Sequence, residues 1–130
     1  MTNTLAIMFG AALGATGRYW LTAWATARWG TGFPYGTGII NVSGSFLIGV
    51  VMVVALARFG HSDVFRLFLV TGMLGGFTTF SSFSYENLTL IESGRWPAAL
   101  VYAIGSVVAG LLAVFCGATL ARALLTASAP

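Results

Sequence analysis

Apolar residues fall in four long runs separated by three short polar connections. The first run covers about Leu5 to Ala27 and is broken by Arg18; the second, about Ile39 to Ala57, carries no charge. The third, about Phe65 to Ile91, has a polar middle with Glu86 inside it, and the fourth extends from about Pro97 to Leu120. A helix needs about 20 apolar residues to cross the hydrocarbon core of a bilayer, so each run predicts one transmembrane helix. Pro97 suits the first turn of the fourth, where a missing N–H costs nothing. The connections are Arg28 to Gly38, with Gly30, Gly32, Pro34 and Gly36; Arg58 to Asp63, with Gly60 and His61; and Glu92 to Arg95, with Gly94. None has room for a soluble domain, so residues 1–130 read as a single four-helix membrane domain. The N-terminus has no basic leader and its apolar run continues past Arg18. It therefore reads as a mature span and not as a signal peptide.

Composition supports this reading and removes others. Charged residues make up 7% and hydrophobic residues 58% of the chain, whereas soluble domains carry about 25% charged residues. Disorder requires the opposite balance. A single cysteine, Cys116, excludes an internal disulfide or a thiolate zinc cluster and reads as a buried small hydrophobe. The net charge of +3 comes from six arginines scattered at the ends of apolar runs. Nucleic-acid binding needs basic residues clustered on one face, so no nucleic-acid partner is expected. The three acids and His61 are spread out, and His61 reads as a solvated loop residue. Hydrolytic or transfer chemistry needs paired acids, a histidine cluster or a nucleophile with its base, so the chain does not read as an enzyme.

Loop arginines set membrane orientation. Arg58, Arg66 and Arg122 fall on one side, and Arg28 and Arg95 on the other. If Arg18 snorkels toward the first connection the two sides become equal. Two readings stay open: a weak bias that the first helix resolves, or dual topology, in which copies insert both ways and pair antiparallel.

Within the spans, Gly10, Gly14 and Gly17 share one face of the first helix and predict close backbone packing. Arg18 is either a helix-end snorkeller or a buried electrostatic element. Asn41, near the start of the second helix, is either interhelical glue or a donor facing a polar pathway. The third span is the least ordinary. Gly72, Gly75 and Gly76 precede a run of Thr78, Thr79, Phe80, Ser81, Ser82, Phe83, Ser84, Tyr85, Glu86 and Asn87. Paired glycines weaken a helix and expose carbonyls, and non-helical backbone at membrane depth survives only inside protein or against water. A break in this helix is therefore expected. Free carbonyls suit a cation; hydroxyls and ring edges suit an anion. Phe80 and Phe83 are either core packing or part of that polar group. On the fourth helix, Tyr102 and Ser106 stand four residues apart, with Tyr102 either an interfacial belt residue or a pore donor.

The stretch Gly72-Met73-Leu74-Gly75-Gly76-Phe77-Thr78-Thr79-Phe80-Ser81-Ser82-Phe83-Ser84-Tyr85-Glu86 resembles the third-helix signature of the Fluc (CrcB) fluoride channels. Gly36 to Phe46, read Gly-Thr-Gly-Ile-Ile-Asn-Val-Ser-Gly-Ser-Phe, is similar to their second-helix motif, and Gly14-Ala15-Thr16-Gly17-Arg18-Tyr19 to their first. The order and spacing hold along nearly the whole chain. The resemblance implies an all-α integral membrane protein: four transmembrane helices with a break in the third, assembled as an antiparallel dual-topology homodimer in the inner (plasma) membrane, with two parallel fluoride pores. It implies that Asn41 donates to fluoride, that Phe80 and Phe83 form a phenylalanine box, and that Tyr102 and Ser106 line the pore. It further implies a structural sodium ion on the two-fold axis, bound by main-chain carbonyls of Gly75 and Thr78. Two positions depart from the pattern: Gly38 replaces a larger aliphatic residue, and Gly110 supplies no hydroxyl where some members continue a polar track.

The chemistry is coherent without the name. Fluoride is small and strongly hydrated, so a pore must replace its water with hydrogen-bond donors. Phenylalanine edges are electropositive and can touch an anion while excluding water. A central cation offsets repulsion between two anion pores. The competing reading is a small multidrug-type, proton-coupled exporter, also a four-helix dual-topology dimer. That mechanism needs a carboxylate in the first helix, where this chain has Arg18 and no acid.

Overall fold

The structure, a computed structural model, describes residues 1–59 and 63–127, and it is all helix and turn over that range. Helix α1 covers Thr2–Trp29, α2 Tyr35–Phe59 and α5 Trp96–Ala127. Between α2 and α5, α3 covers 63–77 and α4 covers Phe80–Glu92. Three segments are long and apolar enough to cross a membrane: Tyr35–Ala57, Val64–Glu92 and Trp96–Ala127. Helix α1, at 28 residues, has the length to cross, but its threonines, Arg18 and Arg28 make it less apolar. The helices run past the apolar runs at several ends because helical hydrogen bonding does not stop where hydrophobicity does. The expected connection from Arg28 to Gly38 shrinks to residues 30–34. Gly60 and His61 lie outside the described residues.

Two tight turns use glycine for its positive φ. Gly30 ends α1 at φ 74° and Gly94 follows α4 at φ 73°. At Gly94 the chain closes α4 with paired bonds, Gly94 N–H to the Ile91 carbonyl at 2.9 Å and Arg95 N–H to the Leu90 carbonyl at 2.9 Å. This is the left-handed glycine cap that satisfies the last carbonyls of a helix. Pro97 sits in the first turn of α5.

The helices pack as two close pairs, α1 along α3 and α2 along α5. Small residues let each pair of backbones approach. A Cβ on Gly76 would lie 2.7 Å from the Ala11 carbonyl oxygen, and one on Gly72 2.8 Å from that of Ile7. Gly10 and Gly14 meet the α3 backbone from the other side, whereas Gly17 has only the Phe77 ring near it, at 3.8 Å. Gly49 and Gly117 do the same work between α2 and α5. Helix α3 accommodates this seam by winding in wider π turns over Leu67–Leu74, with the Gly75 N–H reaching the Val70 carbonyl five residues back.

Few hydrophobic residues are buried, among them Ile40 and Leu74. One buried cluster joins Leu90, Ala99 and Tyr102, with Phe33, Phe83, Ile91 and Ala98 around them. Elsewhere large apolar side chains face outward, among them Trp20, Leu111, Phe115 and Leu124. Cys116, expected inside, is exposed on this outer surface of α5. A thiol is apolar enough to sit on such a surface.

Candidate functional site

Helical geometry stops at Phe77 and resumes at Phe80. Thr78 and Thr79 between them are extended, at φ −75°, ψ 156° and φ −152°, ψ 112°. The glycines that looked like the weak point, Gly75 and Gly76, are helical; Gly75 sits at φ −64°, ψ −36°. Their small size serves the α1 seam, and the departure from helix comes two residues later.

Asn41 explains its position. Its side-chain Nδ2 donates to the Thr79 carbonyl at 3.0 Å, and the Thr79 N–H donates back to Asn41 Oδ1 at 2.8 Å. The amide therefore stands in for a peptide partner and satisfies both backbone groups of one extended residue, which would otherwise be costly to bury. Two consequences follow for the helix ladder. The Thr79 N–H that would have closed a turn on the Gly75 carbonyl goes to Asn41. The Ser82 N–H that would have closed one on the Thr78 carbonyl goes to the Thr79 hydroxyl, at 3.2 Å, as the cap of α4. The carbonyls of Gly75 and Thr78 thus lose their usual donors.

Asn41, Gly75, Thr78, Phe80, Phe83 and Ser106 all line one groove of about 490 Å³ between α2, α3, α4 and α5. Six of the seven residues singled out in the sequence are brought together there. Of the two N–H bonds of the Asn41 amide, one is used on Thr79, which leaves a second N–H on a residue that lines the groove. The Ser106 hydroxyl is half-buried. The Phe80 and Phe83 rings stand 5.5 Å apart, but they differ in setting. Phe83 is half-buried against Tyr102, centroids 5.1 Å apart, while Phe80 is 77% exposed and projects from the protein.

Tyr102 is the seventh, and it is not on that groove wall. It is 3% exposed, its ring is wedged between Phe83 and Phe33, and its hydroxyl donates to Glu86 Oε2 at 2.7 Å. Thr37, itself buried, donates to Glu86 Oε1 at 2.6 Å. The intramembrane carboxylate is thus met by two hydroxyls, one from α2 and one from α5. The sequence places Glu86 inside the third run without naming a partner for it, and does not single out Thr37. A signal was present: Thr37 lies four residues before Asn41, on the same helical face.

On the far side of this trio lies a second pocket of about 230 Å³, lined by Thr22, Thr26, Thr37, Glu86, Thr89 and Arg95 among others. The Arg95 Nη1 donates to the Gly32 carbonyl and its Nε to Ser93 Oγ at 3.2 Å. Arg18 lies half-buried on α1 and lines neither the groove nor this pocket.

No group of three or more histidine, cysteine or acidic side chains comes together among the described residues. What the groove gathers instead is an amide, hydroxyls and aromatic rings, with the carbonyls of Gly75 and Thr78 beside them lacking their usual helical donors.

Residues 5–118 match the family model described as CrcB-like protein, Camphor Resistance (CrcB). The chain is similar to a protein named fluoride-specific ion channel FluC from Roseiflexus sp. (strain RS-1), 56% identical over 122 residues, which covers 94% of this chain and 98% of the relative. A protein of the same name from Chloroflexus aurantiacus (strain ATCC 29366 / DSM 635 / J-10-fl) is 52% identical, covering 94% and 97%. Another from Rhizobium meliloti (strain 1021) is 43% identical over 125 residues, covering 96% and 100%.

Proposed function

The chain belongs to the CrcB-like family, and on that footing we propose that it is a fluoride-selective channel. It lets fluoride leave the cell down its electrochemical gradient and so confers resistance to fluoride. It is a multi-pass membrane protein, which in bacteria means the plasma membrane. The observation that carries the reading is the single groove shared by Asn41, Phe80, Phe83 and Ser106. Fluoride gives up its water there to the spare Asn41 N–H, the Ser106 hydroxyl and the electropositive ring edges. Each is a neutral donor, which holds an anion loosely enough to release it.

The functional unit in this reading is an antiparallel homodimer of four-span copies, α1 providing the first span. Three features support it. The groove is open along its side, the exposed Phe80 ring has no partner of its own chain beyond Phe83 among the described residues, and loop arginines are nearly balanced across the membrane. A second copy closes the groove and accepts Phe80. The carbonyls of Gly75 and Thr78, relieved of their helical donors, fit a hard alkali cation. Sodium bound there, between the copies, would supply a fixed positive charge near two anion pathways.

Reconstituted in liposomes, the protein is expected to release fluoride and retain chloride. The flux should not respond to a pH gradient at fixed fluoride gradient and voltage; flux that tracks the pH gradient would favour the proton-coupled exporter. Two lysines added near Arg58 shift the loop count to five against two and force one orientation. That variant alone should lose fluoride protection in cells at normal abundance, and co-expression with an oppositely biased variant should restore it. Full protection by the biased variant alone would overturn the antiparallel dimer.

A further inference from the structure

The groove and the 230 Å³ pocket are neighbours across one layer of side chains. Phe83 lines the groove and abuts Tyr102; Tyr102 bonds Glu86; Glu86 lines the pocket. An anion moving between the two must pass a carboxylate. At low dielectric a like charge beside the route is a strong barrier. The pocket lining holds one cationic side chain, Arg95, among hydroxyls from Thr22, Thr26, Thr37 and Thr89.

Arg95 is placed there by backbone geometry and not by chance of a long side chain. The glycine cap at Gly94 sets its main chain, with Arg95 N–H on the Leu90 carbonyl at 2.9 Å. Its guanidinium is then tied at two points, Nε to Ser93 Oγ at 3.2 Å and Nη1 to the Gly32 carbonyl of the opposite connection. A guanidinium has five N–H bonds, so three are left for the pocket.

We propose that Arg95 is the anion-collecting residue at the Glu86 end of the pathway. Its charge offsets the carboxylate, raises the local concentration of fluoride in the pocket, and hands the ion to the hydroxyl-lined wall. The inference rests on the fluoride-channel reading and adds a residue to it. A purely structural Arg95, clamping residues 30–34 to the start of α5, is the competing account.

Ionic strength separates the two. Charge acts over about 30 Å at 0.01 M salt and only a few Å near 1 M, whereas a clamp does not depend on salt. Fluoride efflux from liposomes is measured at about 10 mM and at about 500 mM of an impermeant salt, for wild type, Arg95→Gln, Arg95→Lys and the double variant Arg95→Gln/Thr26→Lys. The last returns a positive charge to another wall of the same pocket without rebuilding the clamp. Arg95→Gln is expected to lower flux about three- to tenfold at low salt, within the range of electrostatic steering, and less than twofold at high salt. Arg95→Lys and the double variant should recover most of the loss. Wild-type flux in Arg95→Gln at low salt overturns the proposal. So does an equal loss in all three variants at both salt levels, which would make Arg95 a clamp. An absent wild-type flux brings down the channel reading itself and this inference with it; conduction with no salt-dependent effect brings down the inference alone.

Discussion

The two stretches on either side of Thr78 and Thr79 belong to one apolar span, yet they are built on opposite principles. Residues 63–77 of α3 hold position by backbone contact. Gly72 and Gly76 lie against Ile7, Gly10 and Ala11 so closely that a methyl group has nowhere to go. Residues 80–92 of α4 hold position by hydrogen bonds and rings. Glu86 ties α4 to Thr37 of α2 and Tyr102 of α5, and Phe83 stacks on Tyr102. The contrast separates a part of the span held by close backbone packing from the part that carries the proposed anion contacts. It also says which substitutions each will resist: the first is sensitive to volume, the second to donor chemistry.

The largest effect should come from volume in the first stretch. A Cβ on Gly14 would sit on the Met73 carbonyl and 2.8 Å from the Phe77 nitrogen. Gly14→Leu is expected to cost about 3 kcal/mol or more as overpacking and to abolish a monodisperse elution profile in detergent. A well-folded Gly14→Leu would mean that the α1–α3 seam is not tight. Next comes donor chemistry at the second stretch. Asn41→Asp keeps the acceptor for the Thr79 N–H but removes the donors and adds a charge. Flux should fall about 100-fold or more, in line with about 3 kcal/mol for a lost bond to a charged group, while the protein still elutes as the wild type does. Normal flux would reduce Asn41 to helix glue.

Phe83→Ile and Phe80→Ile keep bulk and remove ring edges, and each should lower fluoride efflux about tenfold, near the upper end for an aromatic contact. Phe83→Ile should also lower the unfolding temperature, because of these two rings it is Phe83 that packs on Tyr102. Equal thermal effects would erase the distinction drawn between the two rings. Tyr102→Phe removes one hydrogen bond to Glu86 and should cost about 1 kcal/mol, read as a drop in midpoint in thermal unfolding. Gly17→Ala should change stability by less than about 0.5 kcal/mol, because the nearest atom to its Cβ is a Phe77 ring carbon at 3.8 Å. A large loss there would show that the seam reaches further along α1 than Gly14.

Much of this arrangement was written in one dimension. Apolar runs mark where helices form, and three segments of the structure are long and apolar enough to cross a membrane, since the bilayer imposes length and apolarity residue by residue. The concentration of hydroxyls and Glu86 in the third run marks the polar segment, because a carboxylate is costly against lipid whatever the fold. Gly10 and Gly14 announce close packing, because a side chain there would meet the neighbouring backbone, whereas Gly17 on the same face meets only a ring. Three matters needed the tertiary structure. The chain leaves the helix at Thr78 and Thr79 and not at Gly75 and Gly76, since the glycines are consumed by the α1 seam and Asn41, thirty-eight residues away from Thr79, captures that residue's backbone. Glu86 is tolerated because Thr37 and Tyr102 converge on it from two other helices. Cys116 faces outward because a single chain of this size buries few of its apolar residues. Local pattern reports what each residue cannot afford to touch. Which partner answers it is decided by helix packing, where residues far apart in the chain come within hydrogen-bond reach.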